Sequence, residues 1–272
     1  MITPRTELTR VFLNGKDRGV YFLVEQPKEI MLRHRNLMPG DLYRGELIPG
    51  TKDDFRGGGI RSLFDSGAVW DKIAVNNHYD DDAKAPLARL IRLIEGSTSE
   101  SAAALGEMLD MQAWGRFAAY ESLTQSLHAD EIHNWRLYYD PWRQKFLPVV
   151  WDTMGWFDTL RGEKVQLEIQ TSRLMEKLFS HAEFRRTRQM LLTEFFQAGK
   201  DNEFLELVYL TTDAMKQEVN TDPLLRPADP GEVAAAIQRL EGHIKSVFAG
   251  LKAVSYTHLR AHETDSYLVC RL

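Results

Sequence analysis

Hydrophobic positions change period several times along the chain, and each change marks an element. Leu8, Val11, Phe12 and Leu13 lead into Asn14-Gly15-Lys16-Asp17, and Gly19-Val20-Tyr21-Phe22-Leu23-Val24 follows. Two β-rich runs around an Asn-Gly step predict a β-hairpin. Pro27 suits the first turn of a short helix through Arg35, where its missing N–H has no intrahelical role. Pro39-Gly40 breaks that helix, and Asp41–Ile48 reads as a third strand. Gly50–Asp82 has no period and is expected to be irregular. Its Asp80-Asp81-Asp82 run is placed to charge the next helix N-terminus.

Leu87, Leu90, Ile91 and Ile94 recur at i, i+3, i+4 and i+7, a helix with one apolar face. Ser99–Leu109 predicts another. Met111–Leu127 is apolar round most of its circumference, through Trp114, Phe117, Tyr120, Leu123 and Leu127, as in a central buried helix. Trp135–Tyr139 and Phe146–Trp151 predict two aromatic strands joined at Asp140–Lys145. Beyond Gly162 the pattern is helical: Thr171–Phe179, Ala182–Ala198, Glu203–Val219 and Gly231–Leu251. Strands, helices, a hairpin and more helices make an α+β order. It predicts a small antiparallel N-terminal β part (Val11–Ile48) and a mainly helical C-terminal part.

Composition narrows the class. A chain of 272 residues, 43% hydrophobic and 27% charged, makes one large domain or two small ones and excludes wholesale disorder. A net charge of −5 speaks against a nonspecific nucleic-acid binder. No apolar run approaches the ~18 residues of a membrane span. Thr3–Arg10 carries charge at once, so no signal-peptide core is seen. A single cysteine excludes a disulfide framework and a cysteine-based zinc site. The C-terminal residues stand apart. Val254–Thr264, VSYTHLRAHET, matches the translation of a transposase-type sequencing-library adapter, and Leu268–Leu272 matches its far end. The apolar period of the preceding helix stops at Phe248–Leu251. Residues 254–272 are therefore expected to be a non-native tail, which removes Cys270, His258 and His262 from any metal argument.

The chemistry concentrates in His128–Phe157, HADEIHNWRLYYDPWRQKFLPVVWDTMGWF. A turn centred near Trp142–Arg143 sets Asn134 opposite Trp151 or Asp152, and facing Cα atoms of an antiparallel pair lie ~4.5–5.5 Å apart. Asp130 stands at the mouth of the same hairpin end. Two carboxylates and an amide oxygen suit a hard cation such as Mg²⁺. A loop Asp as base, an Asn a few residues on, a hairpin and a metal-binding Asp is also the layout of a protein-kinase site. The plainer alternative makes Asp130 and Asp152 turn residues or caps, and His128 and His133 satisfied surface or core groups. His128-x-Asp130-x-x-His133 also leaves open a transition-metal site, and with it a metal-dependent hydrolase. Glu25, after a β run, either pairs a nucleotide-binding base or is an exposed strand-end carboxylate. Gly57-Gly58-Gly59 lacks the spacings of a phosphate loop, and Tyr138, Tyr139 and Trp142 read as hairpin packing.

These blocks together resemble the CotH (spore coat protein H) kinase family of atypical protein kinases. The resemblance rests on VFLNGKDRGVYFLVEQ (Val11–Gln26), GDLYR (Gly40–Arg44), Asp130, His133–Pro141 and Trp151-Asp152, and spans about Val11–Phe157. It implies a kinase-like fold over residues 1–253, with an incomplete N-lobe at about 1–50 and a C-lobe at about 83–253 whose β-hairpin carries the site. It implies ATP with Mg²⁺ or Mn²⁺ and phosphoryl transfer to a Ser or Thr hydroxyl of a protein substrate. By position Asp130 is the catalytic-loop Asp, Asn134 and Asp152 are metal ligands, and Arg44 and Glu25 face the nucleotide. The family strand ends W-D-x-D, whereas here Met154 follows Thr153 and Asp158 is the only nearby carboxylate. The family's nucleotide lobe has strands before the VFLNG-like block, which here begins ten residues in, so an impaired fragment is expected. The segment that often ends in Lys ends here in Arg44, a planar fork rather than a point charge. The resemblance also admits an inactive surface, adhesion or spore-coat module, and an extracytoplasmic setting.

Overall fold

The computed structural model describes residues 1–47, 60–73, 84–160, 162, 164–224 and 230–269, with the side chains of 158, 160, 217, 230 and 255–269 left out. The Asp80–Asp82 run and Gly57–Gly59 lie outside the described residues. The chain divides into two compact units.

The first unit comprises Met1–Pro4, Glu25–Gly155 and Glu168–Arg188. Its centre is an antiparallel sheet of β3 (Asp41–Gly45), β4 (Trp70–Lys72), β5 (Trp135–Asp140) and β6 (Lys145–Pro148), in the order β4-β3-β5-β6. The short helix α1 (Glu29–Arg33) precedes it. Helices α2 (Ala85–Glu95), α3 (Ser99–Met108) and α4 (Met111–Thr124) follow β4, and α6 (Arg173–Phe179) returns to the unit. The alternation of β5 separates two cores. Trp135 and Leu137 join Tyr43, Phe64, Trp70, Trp114 and the apolar faces of α2, α4 and α6. Tyr138 on the opposite face joins Leu42, Leu147, Val149, Ile2 and two α1 residues, Met31 and Leu32.

Aromatic donors tie these layers through their ring N–H groups. Trp114 Nε1 donates to the Phe146 carbonyl at 3.0 Å, and Trp70 Nε1 to that of Leu63 at 2.7 Å. Asp110 caps α4, accepting from the Ala113 N–H at 3.0 Å, and pairs with Arg143 of the hairpin turn at 2.5 Å. Gly45 permits close sheet packing: a Cβ there would lie 2.8 Å from the Trp70 ring.

The second unit comprises Arg5–Val24, Trp156–Leu167 and Gln189–Leu272. It holds the hairpin β1 (Thr6–Leu13) and β2 (Lys16–Val24), the single turn α5 (Phe157–Leu160), and the helices α8 (Lys200–Asn220) and α9 (Pro230–Val269). Helix α7 (Ala182–Gln197) contributes its N-terminal half to the first unit and its C-terminal half to the second. Asn14 (φ 52°) and Gly15 (φ 73°) are both left-handed, the conformation a two-residue hairpin turn requires. Arg10 joins the hairpin to α8 by pairing with Asp17 at 2.6 Å and Glu218 at 2.9 Å. Asp222 accepts from the Val20 N–H at 2.8 Å, and Gly19 (φ 83°) leaves room for it. Phe195, Phe196, Phe204 and Phe248 stack into the helical core.

The α+β class is as the pattern indicated, but the strands are shared differently. The hairpin forms a two-stranded sheet of its own, while β3 pairs with β4 and β5. Strand β4 lies inside the stretch expected to be irregular, because three residues are too short for a period-2 signal. Strand β6 stops at Pro148 rather than Trp151. There the Val150 N–H turns to the Ile2 carbonyl, at 2.8 Å, so the N-terminus takes over the pairing. The α9 backbone continues through Val269, past the expected end at Leu251; its side chains from Ser255 onward lie outside the described residues.

Candidate active site

The β5–β6 register decides which residues meet. Leu137, Tyr138, Tyr139 and Asp140 face Pro148, Leu147, Phe146 and Lys145 in turn. The Val149 N–H donates to the Arg136 carbonyl at 2.9 Å and continues the register. Carried three residues past the last pair, that register would set Asn134 opposite Trp151, with Asp152 one further; in the structure His128 makes the link between Asn134 and Asp152. Asp140 folds the turn by accepting from the N–H groups of Trp142 and Arg143 at 3.0 and 3.1 Å, and Gln144 takes the left-handed position.

The loop from α4 into β5 is fixed at most of its residues. Gln125 ends α4 in the left-handed region. Asp130 Oδ1 accepts from the N–H groups of Ile132 and His133 at 2.8 and 3.0 Å, a tight Asx-type turn. Thr171 Oγ1 donates to the Ala129 carbonyl at 2.6 Å, and Glu131 accepts from the Arg173 backbone N–H and from Ser62 Oγ. Trp135 Nε1 donates to the Asp130 carbonyl at 2.7 Å. Asp130 is thus held from both sides of its peptide while its carboxylate stays about a third exposed.

His128 links the two strand ends. Its Nδ1 lies 2.8 Å from the Asp152 carbonyl oxygen and 3.7 Å from Asp152 Oδ2. Its own carbonyl accepts from Asn134 Nδ2 at 3.1 Å. An Nδ1–H tautomer satisfies the first contact. Donation through Nδ2 leaves the Asn134 amide oxygen as that side chain's acceptor end. The rings of His128 and His133 meet edge to face at 4.9 Å, and His133 Nδ1 sits 3.0 Å from Asp130 Oδ1. Asn134 (φ 66°) and Asp152 (φ 44°) both adopt left-handed backbone, and Asn134 is buried whereas the Asp152 side chain is 58% exposed. Tyr120 donates to Thr153 Oγ1 at 2.9 Å, fixing the residue after Asp152, and burial raises its phenol pKa.

Charged residues line the adjoining sheet face. Arg44 of β3 faces Arg136 of β5. Two guanidinium groups side by side repel, and each has a carboxylate partner: Asp71 for Arg44, and Glu46 for Arg136 at 2.7 Å. Burial lowers the Arg136 pKa, and its neighbours Glu46, Arg44 and Asp152 all bear on its charge.

The structure therefore brings Asp130, Asn134 and Asp152 to one end of the hairpin through His128, with Arg44 in the charged row beside them. Glu25 belongs elsewhere: it pairs with His34 and Arg35, both at 2.8 Å, and is not the exposed strand-end carboxylate that one alternative made it. Among the described residues no three His, Cys, Asp or Glu side chains form a metal-binding group. The Asp158 side chain lies outside the described residues. Sequence reading missed the linking role of His128 and the whole role of Glu46. The signal for Glu46 was its place two residues after Arg44, which a β3–β5 pairing would have carried to Asn134.

The fold is α+β, with Asn134 and Asp152 joined through His128 and the loop Asp130 beside His133. The family model described as CotH kinase protein matches residues 1–227. The chain belongs to that family, and the match reaches well beyond Phe157 into the C-terminal helices. No curated protein matches the chain. Among the described residues no helix is long and apolar enough to cross a membrane.

Proposed function

We propose that the chain is a phosphotransferase domain that moves the γ-phosphoryl group of ATP to a Ser or Thr hydroxyl of a protein. The observation that carries this reading is the double link of His128 to Asn134 and Asp152, which joins an amide and a carboxylate beside the loop carboxylate of Asp130. Their oxygen donors fit Mg²⁺ or Mn²⁺. Asn134 Oδ1 and the Asp152 carboxylate would hold the ion. Such an ion supplies charge neutralisation for the triphosphate. Asp130 accepts the proton of the acceptor hydroxyl as that oxygen bonds to the γ-phosphorus; the bond to the β–γ bridging oxygen breaks and ADP leaves. Arg44, paired here with Asp71, would meet phosphate oxygens once Asp71 releases it. Glu25, already shared between His34 and Arg35, is a weaker candidate for the nucleotide. We assign this domain to residues 1–253.

One observation favours a second reading, a kinase-like surface or structural module without catalysis. Met154, 39% exposed, stands where the resemblance calls for a second carboxylate. Thermal shift with ATP and Mg²⁺ tests both. A Mg²⁺-dependent rise in the midpoint, lost in Asp152→Ala, supports the phosphotransferase; no response to ATP at any metal concentration supports the module.

A further inference from the structure

We infer that Glu46 is a positioning residue for the proposed metal site, holding Asn134 and, through Arg136 and Trp151, the strand end that carries Asp152. The inference rests on the reading of Asn134 and Asp152 as ligands. The β3–β5 ladder ends at Gly45 facing Trp135, so the next step places Glu46 beside Asn134. At that step the side chain replaces the ladder. Glu46 Oε2 accepts from the Asn134 backbone N–H at 3.3 Å. Chain pairing resumes just beyond, where the Leu47 N–H donates to the Ile132 carbonyl at 2.7 Å. Asn134 has a left-handed backbone, which Asn adopts more readily than other non-glycine residues but still at a cost that its surroundings help to offset. The Glu46 bond is one such support, because it fixes the peptide on the N-terminal side of Asn134.

The second arm runs through Arg136. Glu46 Oε1 accepts from Arg136 Nη1 at 2.7 Å, and the same Nη1 donates to the Trp135 carbonyl at 2.9 Å. The guanidinium lies over the Trp151 ring, 5.2 Å from its centre. Trp151 directly precedes Asp152. One carboxylate thus reaches both sides of the hairpin mouth: by a hydrogen bond on one side, and by an ion pair and a cation–π contact on the other. The Arg136 side chain is only 7% exposed, so removing its partner would leave a buried charge to find a new place.

Glu46→Gln keeps an acceptor for the Asn134 N–H and loses the ion pair; Glu46→Ala loses both. The experiment titrates the full chain and both variants with Mn²⁺ in the presence of ATP, well below each melting midpoint, and follows amide exchange at Asn134. Glu46→Ala should bind Mn²⁺–ATP at least about tenfold more weakly and exchange the Asn134 amide at least about tenfold faster. Glu46→Gln should recover most of the protection and part of the affinity. A role in stability alone would lower the midpoint and leave affinity unchanged below it. Equal Mn²⁺–ATP affinity in the unaltered chain and Glu46→Ala overturns the positioning role and leaves the metal reading standing. Absence of Mn²⁺–ATP binding by the unaltered chain overturns the metal reading, and the positioning role with it.

Discussion

His128 Nδ1 lies 2.8 Å from the Asp152 carbonyl oxygen, while the His128 carbonyl accepts from Asn134 Nδ2. One residue of the loop therefore spans the open end of a hairpin whose own ladder has already stopped at Pro148. Replacing His128 by Ala removes only the first of these bonds, since the second uses the backbone. Loss of one partly exposed hydrogen bond costs ~0.5–1.5 kcal/mol. His128→Ala should lower the midpoint modestly and weaken Mg²⁺–ATP binding more than ATP binding without metal. His128→Asn, which keeps a donor of shorter reach, should be intermediate. Equal metal response in all three proteins would remove His128 from the site.

Asp130 and Asp152 should separate by what they abolish. Asp130→Ala should remove phosphoryl transfer, by ~10²–10⁴-fold for a lost general base, and leave Mg²⁺–ATP binding intact. Asp152→Ala should remove the metal-dependent part of ATP binding itself. Isothermal titration beside a radiolabel transfer assay distinguishes the two. If both variants bind and transfer as the unaltered chain does, the roles assigned to this loop are wrong.

How far the sequence could be read depended on the range of each interaction. The β5–β6 hairpin was legible because one turn, near Trp142–Arg143, sets every pair on the strands, and the pairs follow it. Helix α2 was legible because Leu87, Leu90, Ile91 and Ile94 repeat at helical spacing, and all four are buried. Strand β3 was visible as a strand, but not its partners: Tyr43 gives no local sign that it will face Leu137 rather than the hairpin. The same long-range pairing hid Glu46, whose role exists only once β3 lies beside β5. Glu25 misled for a related reason. Its place after a β run suggested exposure, whereas His34 and Arg35, delivered by the short helix α1, enclose it.

Glu121 of α4 gives a prediction that does not depend on catalysis. Its carboxyl is wholly buried, neither oxygen has a hydrogen-bond partner among the described residues, and burial holds its pKa well above the ordinary 4.5. Arg188 opposes this shift, while its own pKa is pushed down by burial to about 10. A raised carboxyl pKa means that the folded state keeps a proton the unfolded chain has released. Stability from Glu121 is thus present below the unfolded value and is lost as pH rises through the window up to the folded one, with a slope of at most ~1.4 kcal/mol per pH unit. Glu121→Gln should flatten that decline and be the more stable protein at neutral pH. Denaturant melts across the pH range check this. A Glu121→Gln protein less stable by several kcal/mol at neutral pH would instead show an ionised Glu121 bound to Arg188.

The last prediction concerns residues 254–272. Ile244, Val247, Phe248 and Leu251 of α9 are buried at intervals of three and four, and Phe248 meets Phe195, Phe196 and Phe204. Val254, at the next such interval, is 41% exposed, so among the described side chains the buried stripe ends at Leu251, while the helical backbone continues to Val269. A continuing backbone is no evidence of packing, because most helical stability in proteins comes from an apolar face buried against something else. Ending the chain after Ala253 should therefore leave the melting midpoint where it is. Loss of even ~1 kcal/mol of packing would lower it by ~2–4 °C in a protein of this size. A fall of that size or more on truncation would place the segment within the fold, and with it an origin in the protein rather than in an adapter.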